Sequence, residues 1–251
     1  MSRTLRIEAA GRTHCGRVRE TNEDAFIADA DLGLFAVADG IGGKPAGEVA
    51  SAMAVAAVRD ALVSTDRAAR YPVGPVLTAA VAEANVRILK AAARDPAKQG
   101  MGTTFTGALA RETKVTIAHV GDSRAYLLHK RRLDRLSQDH IVQNGAWWAR
   151  LDSEQRAALK RYRFALTRAV GTDEAVKVDV YTLEPQDGDV LLLCSDGLTA
   201  VLSEREVGCI LLEHAGVDKA ADGLVARAND RGGPDNVTVV LLRWAARGGN
   251  A

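Results

Sequence analysis

The feature that most constrains this chain is a set of acidic residues, each held in a glycine- or amide-flanked turn beside an apolar run. Asp39-Gly40 follows Leu34 to Ala38, Gly121-Asp122 follows Val115 to Val120, and Ser195-Asp196-Gly197 follows Val190 to Cys194. Asn22-Glu23-Asp24 and Gly233-Pro234-Asp235-Asn236 stand just before apolar runs. An apolar strand that ends in Asp-Gly sets a carboxylate at a sheet rim, on a backbone free to bend sharply. Several such rims can converge. Converging carboxylates repel, so the set calls for a cation. Every candidate ligand is an oxygen, which suits hard ions such as Mg²⁺ or Mn²⁺ rather than zinc or copper.

Residues for other phosphate chemistries are missing. A cysteine-based phosphatase needs arginine six places after its nucleophile, where Cys15, Cys194 and Cys209 are followed by Thr21, Ala200 and Ala215. Asp29-x-Asp31 and Asp187-x-Asp189 come close to an aspartyl-phosphate motif, but carry Gly33 and Leu191 at its last place and read as turns. Gly40-Ile41-Gly42-Gly43-Lys44 is not a nucleotide P-loop. His14, His119, His129, His140 and His214 show no metal-ligand pairing, which weighs against a zinc hydrolase. A carboxylate dimetal site remains. Two hard cations ~3.5–4 Å apart lower the pKa of a shared water and neutralise a phosphoryl group during in-line displacement.

The chain has 251 residues, 47% of them hydrophobic, enough for a sizeable core. No Pro/Gly/Ser-rich linker divides it, so one domain over 1–251 is expected. Thirty-three basic against 32 acidic residues give +1, which points to neither a nucleic-acid nor a membrane partner. Three cysteines form no paired framework and predict buried thiols in a reducing cytoplasm. Met1 to Arg6 does not read as a secretion signal.

Strands are expected at Phe26–Ala28, Leu34–Ala38, Thr104–Ala110, Val115–Val120, Ala125–Leu128, Val176–Thr182, Val190–Cys194 and Val237–Leu242. Helices are expected at Pro45–Leu62, at Val76–Ala93, after Ser203 with capping-box spacing to Glu206, and at Val217–Asn229. The first two helices come in succession rather than alternating with strands. That order favours antiparallel sheets with helices outside, an α+β fold. Residues 144–164 carry Trp147, Trp148 and a polar helix-like run from Asp152 to Arg161 that Asp152 with Gln155 could cap. This stretch is a candidate lid; the alternative is that its tryptophans pack against the core.

Arg19-x-x-Asn22-Glu23-Asp24, Asp39-Gly40-x-Gly42-Gly43, Gly102-Thr103-Thr104, Gly121-Asp122-Ser123-Arg124, Asp139-His140, Leu166 to Gly171, Ser195-Asp196-Gly197-Leu198-Thr199 and Asp235-Asn236 occur in this order over nearly the whole chain. The set resembles the bacterial metal-dependent protein phosphatases of the PPM family (protein phosphatase type 2C). The resemblance implies a four-layer αββα sandwich of two antiparallel sheets flanked by helices, with the metals in a cleft at one rim. It implies that Asp39 bridges two Mn²⁺ or Mg²⁺ ions, that the Gly40 carbonyl binds one, and that Asp196 and Asp235 bind the other. Glu23 and Asp24 would hold metal-bound waters, Asn236 would orient a neighbouring ligand, and Arg19 would grip the substrate phosphate. The implied activity is a protein-serine/threonine phosphatase that reverses a bacterial Ser/Thr kinase. Alternatives are a catalytically weak phosphoprotein-binding module and a phosphoesterase acting on small molecules.

The sequence departs from the family pattern in three places. Ala200 replaces an aspartate that helps many relatives hold a third metal, so a third ion at Asp122 would bind weakly. Ile41 stands where some relatives have histidine. The short lid with paired tryptophans means that substrate choice cannot be copied from the family.

Overall fold

Strand β3 (Leu34–Asp39) is buried on both faces, and its alternation sets the architecture. Leu34, Ala36 and Ala38 point to one apolar cluster, while Phe35 and Val37 point to another. Successive side chains of a strand face opposite ways. A strand that is apolar throughout must therefore be covered twice.

The computed structural model describes residues 5–41, 46–64 and 72–246. Its other strands are β1 (Leu5–His14), β2 (Asp24–Asp29), β4 (Phe105–Arg111), β5 (Lys114–Val120), β6 (Arg124–His129), β7 (Arg132–Arg135), β8 (Asp179–Leu183), β9 (Val190–Cys194) and β10 (Val237–Ala246). They form two five-stranded antiparallel sheets, ordered β1-β10-β9-β6-β7 and β2-β3-β4-β5-β8. Phe35, Val37, Ile117, Leu191, Leu193 and Val240 interlock between the sheets. Burying each of the larger side chains contributes roughly 2 kcal/mol.

Helices α1 (Gly47–Ser64) and α2 (Val73–Arg94) cover the outer face of the β3 sheet. Ala50, Ala54, Ala80 and Ala84 are buried there, and their small size lets the helices sit close. Helices α5 (Glu204–Glu213) and α6 (Val217–Asp230) cover the β9 sheet over Leu192, Cys194, Val239 and Leu241. The result is the four-layer αββα sandwich. The Ser203–Glu206 capping box is present.

Several expectations change in detail. Strands β1 and β7 were not foreseen. β1 is an edge strand punctuated by Arg6, Glu8 and Arg12. β7 is four residues long, three of them charged. Its hairpin turns through Lys130 and Arg131 at φ 46° and 69°, where glycine or asparagine is the usual signal. The expected Asp152–Arg161 helix shortens to α3 (Ser153–Ala158), closed at its start by the Asp152–Gln155 capping box. Pro45, the expected start of the first helix, and Gly42-Gly43 lie outside the described residues. Of the three thiols only Cys194 is buried; Cys15 is half-buried, and Cys209 lies on the outward face of α5.

Candidate metal centre

The five acidic turns of the opening set lie at one rim. Asp39 ends β3, and Asp24 opens β2 directly opposite it in the ladder. Asp122 sits in the turn from β5 to β6, Asp196 opens the short helix α4 (Asp196–Thr199) after β9, and Asp235 precedes β10. Arg19 lies on the β1–β2 loop. The antiparallel order brings these strand ends to the same side. Arg19, Glu23, Asp39, Gly40, Asp122, Asp196, Asp235 and Asn236 all line one cavity of about 220 Å³. Ile41, Thr104 and Leu166 complete its wall.

Neutral groups fix the backbone here. The Asp39 amide donates to Thr104 Oγ1 at 2.9 Å, and the Asp39 carbonyl accepts from Thr103 Oγ1 at 2.8 Å. Gly40 passes so close to Gly47 that an added Cβ would lie 2.4 Å from the Gly47 carbonyl, so no other residue fits without a shift. Asp24 Oδ2 accepts from Ser195 Oγ at 2.8 Å and Thr238 Oγ1 at 2.6 Å, which ties β2 to β9 and β10. Asn236 Oδ1 accepts from the Glu23 amide at 2.8 Å, and its Nδ2 donates to the Cys15 and Thr21 carbonyls at 2.9 and 2.8 Å. Asn236 therefore holds the loop that carries Arg19. Arg19 Nη2 donates to Asp235 Oδ2 at 2.8 Å.

The carboxylates are crowded. Burial, followed by the charges of Asp24, Asp196 and Asp122, holds the Asp39 carboxyl well above its usual range. Burial and Asp235 raise Asp196. Burial pushes Asp24 up to about 6, against the two hydroxyl donors, with Asp196 and Asp235 adding to the rise. Burial and the charges of Asp196 and Asp139 push Asp122 up to about 7. The Asp39 and Asp196 carboxyls face the same cavity, a crowding that a proton or a cation relieves. Asp24 Oδ1 is buried without a partner.

These residues fit hard cations. The donors are all oxygens, and the Gly40 carbonyl stands beside Asp39. Among the described residues no three Asp, Glu, His or Cys side chains close on a single point. Ions of the Mg²⁺ type do not need that, because they keep several waters and take one or two carboxylates each. Ala200 stands at the wall of a second cavity, about 430 Å³, that shares Asp122 and Asp196 with the first. No carboxylate is supplied at its position.

A supporting layer lies behind Asp122, and the motif reading had assigned its members no role. His140 Nδ1 accepts from the Gly121 amide at 3.1 Å, so its Nε2 carries the proton that goes to Asp179 Oδ2 at 3.0 Å. Arg168 Nη1 donates to Asp179 Oδ1 at 2.7 Å. Asp139 is gripped by Arg124, with bonds of 2.8 to 3.2 Å, and by Arg135. Trp147 and Trp148 meet edge to face at 5.8 Å, with Trp147 46% exposed. They fill no core and line neither cavity. Phe164, from the same segment, lines the second one.

A two-sheet sandwich with a carboxylate cavity at its rim defines the class. The chain belongs to the protein phosphatase 2C family, which it matches over residues 8–237. It is 37% identical over 240 residues to the serine/threonine phosphatase stp of Listeria welshimeri, covering 94% of this chain and 95% of that protein. It is also 37% identical over 242 residues to the serine/threonine protein phosphatase PstP of Mycobacterium tuberculosis, covering 95% of this chain and 45% of that longer protein. The crystal structure of the PstP catalytic domain in complex with two manganese ions superposes with a TM-score of 0.80 at 35% identity, covering 96% of this chain and all of that one.

Proposed function

We propose that this chain is a metal-dependent phosphatase that hydrolyses phosphoserine and phosphothreonine in proteins. The observation that carries the reading is the convergence of Asp39, Asp196 and Asp235 on one cavity at the rim, with the Arg19 guanidinium beside them. Asp39, the Gly40 carbonyl, Asp196 and Asp235 would hold two Mn²⁺ or Mg²⁺ ions. Bound there, such ions lower the pKa of water and neutralise phosphoryl charge. Arg19 gives one donor to Asp235 and keeps the rest of its fork for phosphate oxygens. Glu23 and Asp24 lie beside the ligands as acceptors for ordered water. Asn236 positions the Arg19 loop. Among the described residues the cavity wall holds no cysteine or histidine, and its hydroxyl, Thr104, is engaged by Asp39 and Ser123, which favours water over a covalent nucleophile.

The intact set of acids speaks against a mere binding module. We read the chain as one domain over 1–251 with a flap at about 144–164, acting in the cytoplasm against a Ser/Thr kinase. No helix among the described residues is long and apolar enough to cross a membrane. Purified protein with Mn²⁺ should hydrolyse a phosphothreonine peptide and stop when a chelator is added. Undiminished turnover in excess chelator, or a trapped phosphoenzyme, overturns the reading.

A further inference from the structure

Among the described residues, eleven arginines meet a carboxylate, Arg12, Arg87, Arg124, Arg135, Arg168 and Arg231 among them. In the flap segment no basic side chain does, and the cations stand close together. Arg150, Lys160, Arg161 and Arg163 form no salt bridge among the described residues, and Arg156 donates to the Ala149 carbonyl at 3.0 Å. Five cations stand here against Asp152 and Glu154, a surplus of three on a chain whose total is +1. Two of the guanidiniums lie over aromatic faces, Arg161 on Tyr162 at 4.6 Å and Arg163 on Phe164 at 4.4 Å. Stacking occupies the plane of a guanidinium and leaves its N–H edge free for oxygen acceptors. Tyr162 and Phe164 are 46% and 57% exposed, an apolar surface among the cations.

Position gives the patch its meaning. Phe164 lines an outer cavity with Lys160, Arg161 and Arg163, and also the cavity that reaches Asp122 and Asp196. Phe164 thus stands between the cavity that reaches the metal centre and the one lined by the unpaired cations. We propose that this patch docks an anionic stretch of the phosphoprotein substrate, displaced along the chain from the phosphoresidue being cleaved. The anions are carboxylates or further phosphorylated residues. The proposal rests on the phosphatase reading and adds substrate selection to it. The cations of the patch line a cavity apart from the carboxylates of the centre, so the acids they meet are those at some distance from the phosphoresidue. A nucleic acid fits less well, because the chain as a whole is near neutral.

The test measures kcat/KM of the Mn²⁺-loaded full chain on phosphothreonine peptides with neutral flanks, with aspartates before the phosphoresidue, with aspartates after it, and with a second phosphothreonine. p-Nitrophenyl phosphate is the control. One anionic peptide should exceed the neutral one by about tenfold, mainly through KM, since exposed ion pairs each contribute only a few-fold. The aspartate and phosphothreonine arms tell the two anion sources apart. The preference should shrink in roughly 0.5 M salt. The triple variant Lys160→Gln, Arg161→Gln, Arg163→Gln should lose it, with unchanged aryl-phosphate turnover and an unchanged Tm. Equal kcat/KM on neutral and anionic peptides overturns the proposal alone. So does stronger competition by oligothymidylate than by an unphosphorylated acidic peptide, which would assign the patch to nucleic acid. No turnover of any substrate, aryl phosphate included, overturns the phosphatase reading as well.

Discussion

Asn236 offers a test of how the site is held together, independent of any charge. It is buried, and its side chain makes three hydrogen bonds of 2.8 to 2.9 Å, all to the β1–β2 loop. Asn236→Ala removes all three. Each is worth roughly 1 kcal/mol net. Thr21 is exposed and Cys15 and Glu23 are half-buried, so the freed loop groups can find water and the full desolvation penalty is avoided. The expected loss is therefore about 2–3 kcal/mol. At roughly 2–4 °C per kcal/mol for a chain of this size, Tm should fall by about 5–10 °C. Asn236→Asp keeps the shape and the acceptor, but turns two donors into a carboxylate facing two carbonyls, beside Asp235. It should be the worse substitution at pH 8.

Kinetics then separate positioning from mere stability. If the loop matters because it presents Arg19, Asn236→Ala should raise KM for an aryl phosphate several-fold more than it lowers kcat. In an Arg19→Ala background that KM effect should vanish while the Tm effect stays, since coupled residues are not additive. A double-mutant cycle with thermal melts and steady-state rates gives both readouts. An unchanged Tm for Asn236→Ala refutes the hydrogen-bond argument. A KM penalty that persists undiminished without Arg19 refutes the positioning argument.

Three further outcomes are expected. Asp39→Asn should cut Mn²⁺ affinity and turnover together, by at least ~10²-fold in kcat, as removal of an electrostatic stabiliser does elsewhere; wild-type turnover at the same Mn²⁺ would exclude Asp39 as a bridging ligand. Ala200→Asp should lower the Mn²⁺ concentration needed for maximal rate by adding a carboxylate beside Asp122, and a titration curve identical to wild type would count against that reading. Burial, then the neighbouring His140, pushes His119 down to about 4, so the folded state disfavours its charged form. Its folded value lies below the unfolded 6.5, so its contribution is complete above about pH 6.5 and is lost as pH falls toward 4, by roughly 3 kcal/mol in all. Denaturant melts of wild type and His119→Gln should therefore show a stability gap that narrows over that window; a gap independent of pH would refute the assignment.

Much of this site was legible in the sequence because its chemistry sits in tight turns. Asp-Gly and Gly-Asp after buried strands announce themselves twice, as apolar runs and as breaks, and β9 (Val190–Cys194) falls where the pattern put it. The missed parts lack such signals. β1 alternates charged and apolar residues around Gly11, and the β6–β7 hairpin bends through Lys130-Arg131, residues that carry no turn signature. The bond from Asn236 to Thr21 joins residues far apart in the chain, so no local pattern could reveal it. The tryptophan pair drew attention by its size, yet Phe164 faces the cavities. Which face of an irregular segment looks inward depends on its turns, here the single helical turns at Val142–Asn144, Trp148–Arg150 and Lys160–Tyr162.

The placement of cations gives the deeper logic of the rim. Among the described residues, Asp24, Asp39, Asp122 and Asp196 form no salt bridge, and hydroxyls or amides fix the backbone near them. One layer back, Asp139 and Asp179 are each met by arginine. The difference is physical. An arginine placed among the cavity acids would relieve their repulsion and displace the very ions they are suited to hold. Neutral donors set geometry without spending charge, so the repulsion stays available to a metal. By this criterion Asp235 is the boundary case, because it belongs to the cavity yet already meets Arg19. Its cation is also the most exposed of the set, at the mouth where a phosphate would compete for it. The acids that hold the fold and those suited to hold ions are thus told apart by their partners, which no motif records.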